Sequence, residues 1–332
     1  MPSGIKMAVK TLTDVTDYRV LVEFVTPLLL DEVSRAGEGI GLDPYDLDDA
    51  LEDLFCSKED LQRMVDTLAR KKNIILQGPP GVGKTFASRR LAYALIGFKA
   101  EEQVEMVQFH QSYSYEDFVQ GWRPTREGGF SLRYGVFYEF CNAARENSAA
   151  SYVFIIDEVN RGNLSKIFGE LLMLLEADKR GDGFSIPLTY SDSGERFSVP
   201  ENVHVIGLMN TADRSLALVD YALRRRFTFF DLRPQVGSSR FREFLSGLVE
   251  EDVADYLINR ICSLNERIRD DTVNLGQGYE IGHSFFCPQD TEEELDMDWY
   301  RSVVEFEIAP LLREYWFDDL DRAEEEIAAL VE

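Results

Sequence analysis

Residues 73–85 have the sequence Asn-Ile-Ile-Leu-Gln-Gly-Pro-Pro-Gly-Val-Gly-Lys-Thr, which joins an apolar run to a glycine-rich loop. The apolar run predicts a buried strand, and the loop fits the pattern GxxxxGK[ST] ahead of a predicted helix. In such a loop the backbone amides approach phosphate oxygens, the lysine adds positive charge near the β- and γ-phosphates, and the hydroxyl binds Mg²⁺. A chance glycine turn is the alternative, and the flanking strand and helix patterns argue against it. The candidate phosphate-binding residues are Gly78, Pro79, Pro80, Gly81, Val82, Gly83, Lys84 and Thr85.

A second apolar run, residues 152–156, ends in two adjacent carboxylates, Asp157 and Glu158. We expect this strand to lie directly beside the strand that carries the loop. Asp157 would then hold Mg²⁺, partly through water, and Glu158 would polarise the attacking water. A strand that ends in two acids is common by itself, but together with the loop it predicts triphosphate hydrolysis.

Two later features add candidates to the same site. Asn210 closes the apolar run at residues 203–209, where its amide could orient the lytic water; capping of the next helix is the alternative. Arg224, Arg225 and Arg226 end that next predicted helix, where cations suit the helix dipole. Three consecutive arginines in so acidic a chain also suggest a finger that reaches the nucleotide of a neighbouring subunit, because a guanidinium stabilises a transferring phosphate.

The order of elements predicts an α/β fold with a mainly parallel sheet flanked by helices. Strand patterns at residues 104–110, 152–157, 203–210 and 227–232 alternate with helical patterns at residues 84–96, 136–145, 164–177 and 216–225. Residues 184–190 and 195–199 predict an inserted β-hairpin. After Pro234 the patterns are helical, most clearly at residues 253–268 and 300–315. We therefore predict a short helical N-terminal extension (1–55), a nucleotide-binding domain (56–233) and a helical domain with an acidic tail (234–332).

The charge of the chain is strongly negative, with 35 basic and 60 acidic residues among 332 and a net charge of −25. This balance argues against a broad DNA-binding face. Residues 291–332 alone carry 15 acidic and three basic residues, so nearly half of the excess lies in the tail. If DNA is involved, we expect a partner to read or cut it.

Cysteine usage and hydropathy predict a cytoplasmic protein without a membrane span. Cys56, Cys141, Cys262 and Cys287 are far apart in sequence and form no CxxC pair, so they predict neither a disulfide framework nor a zinc site. No apolar run approaches ~18 residues, and the N-terminal residues lack the apolar stretch of a signal peptide.

The order of these motifs resembles AAA+ ATPases. More narrowly, residues 157–170 (Asp-Glu-Val-Asn-Arg-Gly-Asn-Leu-Ser-Lys-Ile-Phe-Gly-Glu) and 209–215 (Met-Asn-Thr-Ala-Asp-Arg-Ser) resemble the McrB family, the nucleotide-driven motor subunits of modification-dependent restriction systems. Residues 110–118, 121–124 and 282–286 are also similar to that family. The resemblance covers roughly residues 60 to 290.

The resemblance implies a ring, expected to be hexameric, that binds nucleotide between its subunits. It also implies a McrC-like partner that carries the nuclease and stimulates hydrolysis. Asp157 and Glu158 would be the Walker B pair and Asn210 the sensor. Asp213 belongs to the family's Asn-Thr-x-Asp signature, and Arg161, Arg225 and Arg226 are candidate contacts between subunits. His283 lies where the helical domain would close over the nucleotide, with simple packing as the alternative.

Several alternatives stay open on the sequence alone. Residues 210–213 superficially resemble the NKxD guanine motif, but the lysine is missing, so the substrate is ATP or GTP. Only about 55 residues, acidic overall, precede the motor, so either another subunit reads DNA or this chain selects no modified base. No nuclease motif of the PD-(D/E)xK type is found. A MoxR-like remodeller of a protein client is the second hypothesis, and a binding switch with weak hydrolysis is the third.

Overall fold

The computed structural model describes residues 43–191, 194, 196–212, 221–288 and 295–332. Its centre is a sheet of five parallel strands in the order β2-β5-β8-β1-β9. Those strands are β1 (Asn73–Gly78), β2 (Val104–Gln108), β5 (Tyr152–Asp157), β8 (Val203–Asn210) and β9 (Thr228–Asp231). The five predicted strands are therefore confirmed, and each pair is joined by the long crossover that parallel pairing requires.

Alternating side chains of the strands build two cores, one on each face of the sheet. Ile74 and Leu76 pack beneath α2 (Lys58–Lys71) and α3 (Lys84–Ile96), while Ile75 joins the opposite core. That opposite core contains α5 (Val136–Glu146) and α6 (Leu164–Phe168), the latter continued by a 3₁₀ turn. Burial on both faces explains why the strands read as continuous apolar runs.

The predicted boundary after residue 55 does not coincide with a change in packing. Helix α1 (Leu47–Asp53) begins with a capping box at Asp46, and its Ala50 and Leu51 are buried in the core that contains α2. Residues 44–54 thus belong to the nucleotide-binding domain, because their apolar side chains complete one of its two cores. The rest of the predicted extension lies outside the described residues.

Two hairpins interrupt the α/β alternation. The predicted one is present as a minimal pair, β6 (Ile186–Pro187) with β7 (Arg196–Phe197). The other was not predicted: after the single turn α4 (Tyr115–Phe118), strands β3 (Gln120–Pro124) and β4 (Phe130–Tyr134) pair antiparallel ahead of α5. Residues 130–134 alternate apolar and polar side chains, but the glycines and proline in residues 121–129 hide the partner strand.

The C-terminal part of the chain forms a helical domain with a core of its own, as predicted. Its helices are α8 (Ser239–Ser246), α9 (Glu251–Asp270), α10 (Met297–Val303), α11 (Ala309–Tyr315) and α12 (Leu320–Val331), preceded in the chain by α7 (Tyr221–Arg226) of the first domain. The single helix predicted at residues 300–315 is interrupted by a π-helical turn, Val304–Ile308, immediately before Pro310. Among the described helices, none is long and apolar enough to cross a membrane.

A buried polar cluster lies at the amino end of the sheet. The Arg180 guanidinium donates to Asn73 Oδ1 (2.7 Å), to the Leu175 carbonyl (3.0 Å) and to the Val203 carbonyl (3.3 Å). Arg180 is almost fully buried, and its partners are neutral oxygens. The cluster therefore ties β1, β8 and the segment after α6 together.

His204 extends this cluster on β8. The Lys72 ammonium lies 3.1 Å from His204 Nε2, and His204 Nδ1 lies 3.4 Å from the Tyr152 carbonyl. Burial, with the Lys72 and Arg180 charges adding to it, lowers the pKa of His204 to about 3. His204 is thus neutral, and accepts from Lys72.

Candidate nucleotide site

The glycine-rich loop takes the backbone shape that its glycines allow. Gly81 and Gly83 have φ of 75° and 70°, values that other residues rarely adopt. Gly83 precedes α3, and no side chain of the described residues caps that helix with a hydrogen bond. The first amides of α3 are consequently available to an anion, where the helix dipole favours negative charge.

Lys84 and Thr85 occupy the first turn of that helix. The Lys84 ammonium donates to the carbonyls of Gly78 (3.0 Å) and Pro79 (2.8 Å), so it lies over the loop. Thr85 is exposed. Both positions suit the predicted roles in binding phosphate and Mg²⁺.

The expectation that the Asp157 strand adjoins the loop strand is wrong. β1 pairs with β8 and β9, and β5 pairs with β8 and β2. Asn210 therefore lies between the two, in register with Gly78, and the ladder continues from the Thr211 amide to the Gly78 carbonyl (3.1 Å). The sequence could not reveal this because crossovers leave strand order open. The arrangement puts the loop, the amide and the two carboxylates along one edge of the sheet.

Glu158 is held by two neighbours. Asn210 Nδ2 donates to its Oε1 (2.8 Å), and Arg161 Nε donates to its Oε2 (3.2 Å). Glu158 has φ of 52°, which is rare outside glycine, and its amide donates to Asp157 Oδ1 (3.0 Å). In this arrangement both carboxylate oxygens are engaged. Arg161, predicted as a contact between subunits, lies here beside Glu158 of its own chain.

The donor set at this edge fits Mg²⁺. The Thr85 hydroxyl and the Asp157 carboxylate are hard oxygen donors, which Mg²⁺ prefers, and it usually completes its shell with phosphates and water. Within the described ranges, no group of three or more His, Cys, Asp or Glu residues could hold a metal by itself. A cation here would therefore depend on the phosphates of a bound nucleotide.

The helical domain contacts the loop through residues 282–285. The Ser284 amide donates to the Gly81 carbonyl (2.8 Å), and a Cβ on Gly282 would lie 1.9 Å from that same carbonyl. The Phe285 ring covers Gly81, where an added Cβ would lie 2.4 Å from it. The helical domain and the loop thus meet backbone to backbone.

His283 lies in this contact and is almost fully buried. Its Nδ1 accepts from the Gln235 amide (3.2 Å), so Nε2 carries the proton of the neutral ring. Burial lowers the pKa of His283 to about 4. Nε2 is 3.7 Å from the position of a Cβ on Gly83, and the ring packs edge-on against Phe55. His283 is consequently both a packing residue and a neighbour of the phosphate loop.

A cavity of about 610 Å³ opens beside the loop. Its wall combines residues of both domains and of the segment before α2: Leu54, Phe55, Cys56, Asp60, Arg63, Val82, Leu91, Asp231, Arg233 and His283. Its size suits a nucleoside, and its mixed wall can pack against a base while offering polar groups at the rim. Sequence reasoning missed most of these residues because they carry no motif.

The predicted arginines at the end of α7 differ in exposure and in partners. Arg225 is exposed at the end of α7, whereas Arg226 lies 3.0 Å from Glu176 of its own chain and is half-buried. This ion pair directs the Arg226 guanidinium toward Glu176 of its own chain. A role of Arg226 between subunits stays a prediction. Asp213 lies outside the described residues.

Fold and site together define a P-loop nucleoside triphosphatase of the AAA+ class. Residues 73–227 match the family of AAA domains (dynein-related subfamily), and residues 256–324 match the McrB alpha-helical lid domain. The chain is 55% identical over 278 residues to the type IV methyl-directed restriction enzyme EcoKMcrB subunit of Escherichia coli K12, covering 83% of this chain and 60% of that protein.

The chain belongs to the McrB family of AAA+ NTPases, and its helical domain is the family's lid. A more distant relative is the type II restriction enzyme BsuMI component YdiS of Bacillus subtilis 168, 25% identical over 194 residues, or 48% of this chain and 56% of that protein. The chain thus spans somewhat more than half the length of these two relatives. Neither comparison favours the MoxR-like alternative.

Proposed function

We propose that this chain is the motor of a restriction complex. It is a Mg²⁺-dependent ATPase or GTPase that assembles as a ring, which we expect to be hexameric, and it drives a McrC-like nuclease partner. The convergence of the phosphate loop, Asn210 and the Asp157–Glu158 pair on one edge of the sheet supports the hydrolytic activity. Both relatives named above are restriction enzyme components, which supports the pathway. DNA recognition and cleavage belong to other subunits, and we place the complex in the cytoplasm, where free cysteines persist.

The chain's own residues suggest how hydrolysis proceeds. The loop amides and Lys84 bind and orient the phosphates, while Thr85 and Asp157 hold Mg²⁺, which neutralises developing charge on the phosphates. Glu158 accepts a proton from the attacking water. Asn210 and Arg161 each donate to one of its carboxylate oxygens, and each oxygen keeps a second lone pair for that proton. From this position beside Glu158 the Asn210 amide orients the water.

Lid residues connect the site to the rest of the molecule. The contact between Gly81 and residues 282–285 means that a shift of the loop on nucleotide binding displaces the lid. In a ring, that displacement would change how neighbouring subunits meet. Arg225, exposed at the end of α7, is the candidate for a contact with the neighbour's nucleotide.

The decisive experiment substitutes Glu158→Gln and measures turnover of ATP and of GTP by the chain, alone and with the product of the neighbouring gene. We expect unchanged nucleotide binding and assembly with hydrolysis reduced to background, because the amide cannot accept the proton. Unchanged turnover in the assembled complex would overturn the assignment of Glu158. A neighbouring gene that encodes no nuclease would overturn the restriction pathway while leaving the hydrolytic activity in place.

A further inference from the structure

The β3–β4 hairpin exposes three aromatic side chains. Phe130 is 71% exposed, and Trp122 and Tyr134 are each 44% exposed. In the antiparallel register Trp122 lies opposite Leu132, and Phe130 lies opposite Pro124. Because directly paired residues and alternate residues share a face, the aromatic side chains lie on the same side of the hairpin. We call this side the aromatic face.

The same hairpin is basic, unlike the chain around it. Residues 120–134 contain three arginines and one glutamate, whereas the whole chain has a net charge of −25. Arg123 pairs with Asp117. For Arg126 at the tip and Arg133 on β4, the described part of the chain provides no ion pair with a carboxylate. Two guanidinium groups therefore remain available on the hairpin, that of Arg126 at its tip and that of Arg133 on the face opposite the aromatic one.

We propose that this hairpin binds a nucleic acid strand with accessible bases. Bases stack on Trp122 and Phe130, Arg126 at the tip contacts phosphates, and Arg133 adds positive charge from the other face of the hairpin. Exposed aromatic rings interleaved with arginines are the combination that holds single strands without sequence preference, since every base offers a π-face. An apolar patch alone would suit a protein partner as well, but local positive charge on so acidic a chain favours a polyanion. The motor then grips DNA itself, while base recognition and cutting stay with its partners.

Hydrogen bonds connect this hairpin to the hydrolytic site. Glu170 lies at the end of the segment that follows the catalytic strand and begins at Glu158. The Glu170 carboxylate accepts from the Tyr115 hydroxyl (2.7 Å) and from the Thr189 amide (2.8 Å). Tyr115 belongs to α4, directly before β3. A displacement of the Glu158 segment is thereby transmitted to the base of the hairpin.

The other insertion is attached to the same base. Glu116 accepts from the Tyr190 hydroxyl (2.8 Å) and packs so closely under Gly121 that a Cβ there would lie 2.4 Å from it. The grip on DNA should consequently depend on the bound nucleotide, a dependence that rests on the proposed function.

The test measures fluorescence anisotropy of a labelled single strand of about 30 nucleotides, and of its duplex, with the full chain at about 50 and 200 mM salt. All chains in this test also carry Glu158→Gln, and Mg²⁺ and nucleoside triphosphate are present. Hydrolysis then does not change the bound nucleotide during the measurement. We expect the chain to bind the single strand more tightly than the duplex. Trp122→Ala with Phe130→Ala should weaken that binding about tenfold or more at an unchanged salt dependence. Arg126→Glu with Arg133→Glu should weaken it and also reduce the salt dependence.

Matched controls come from the lid, where Phe306 is 69% exposed and Arg301 lies on an exposed helix face. Phe306→Ala and Arg301→Glu should leave DNA binding unchanged. The proposal is overturned if the hairpin variants bind as the parent does, if the lid variants weaken binding equally, or if the duplex binds as tightly as the single strand. Loss of ring assembly in the hairpin variants would make the aromatic face a subunit contact instead, and would also overturn it.

Nucleotide turnover in otherwise wild-type chains keeps the two proposals separable. The hairpin variants should hydrolyse nucleotide within about twofold of the parent, because they do not touch the site. Failure of the proposed function would appear as hydrolysis that survives Glu158→Gln. DNA binding measured without nucleotide would then still decide whether the hairpin binds a strand.

Discussion

The two ends of the central sheet both carry polar side chains, but they use them differently. At the amino end Arg180, Asn73 and His204 are buried and bind to one another, to Lys72 or to backbone carbonyls. At the carboxyl end Thr85 is exposed, and the first amides of α3 lack a side-chain cap. Polar groups whose partners lie inside the fold contribute to stability, whereas groups left for solvent can bind a ligand. Substitutions at the two ends should therefore separate stability from activity.

The largest effect is expected for Lys84→Ala at the carboxyl end. Loss of a charge that neutralises the phosphates should reduce nucleotide binding and hydrolysis by about 100-fold or more. The melting temperature should change little, since a half-exposed lysine adds little to the core. Isothermal titration and thermal unfolding check both halves. A large fall in melting temperature would show that this end is structural as well.

The opposite result is expected for Arg180→Met at the amino end. The substitution removes the Arg180 donor from Asn73 Oδ1 and the Val203 carbonyl, while the Leu175 carbonyl keeps Asn73 Nδ2. The free energy of unfolding should fall by about 3 kcal/mol. Turnover per folded molecule should stay close to that of the parent. Arg70→Met, on the exposed face of α2, is the matched control and should be neutral. Denaturant unfolding that fails to distinguish the two variants would contradict the structural role of the buried cluster.

Neighbouring arginines sharpen the comparison within a single helix. Mixing Arg225→Ala with Lys84→Ala chains should restore part of the activity, since hybrid interfaces would combine an intact loop with an intact arginine. Arg226→Ala should instead lower stability by about 1 kcal/mol by removing the pair with Glu176. Well-formed mixed rings without restored activity would count against a role for Arg225 across the interface.

The last comparison concerns pH. His204 and His283 have folded-state pKa values of about 3 and 4, below the ordinary value of 6.5, so below pH 6.5 the unfolded chain binds more protons. Stability should fall by about 4 kcal/mol between pH 7.5 and pH 5, about 2 kcal/mol for each histidine. His283→Gln should flatten this dependence, whereas the same change at exposed His110 should not. The fold also lowers the pKa of some carboxylates, including Glu176. Their protonation reduces stability only below about pH 4.5.

The fold followed from sequence as far as local patterns reach. Apolar runs located all five parallel strands, and the loop motif located the phosphate site. Strand order was missed at β5 because pairing depends on crossovers that leave no local trace. The β3–β4 hairpin was missed although residues 130–134 alternate apolar and polar side chains, because glycine and proline interrupt the pattern in residues 121–129. Likewise, the Arg226 ion pair and the cavity wall are products of tertiary packing, which residue patterns do not encode.

The contact between Gly81 and Gly282 makes the two domains depend on each other's sequence. Neither position can accept a side chain while the Ser284 amide keeps its hydrogen bond to the loop. A lid exchanged between members of the family would therefore have to bring a glycine at position 282 into a chain that keeps one at position 81. The lid is consequently not exchangeable by itself. A working chimera must match the lid residues that contact the loop to the loop of the recipient chain.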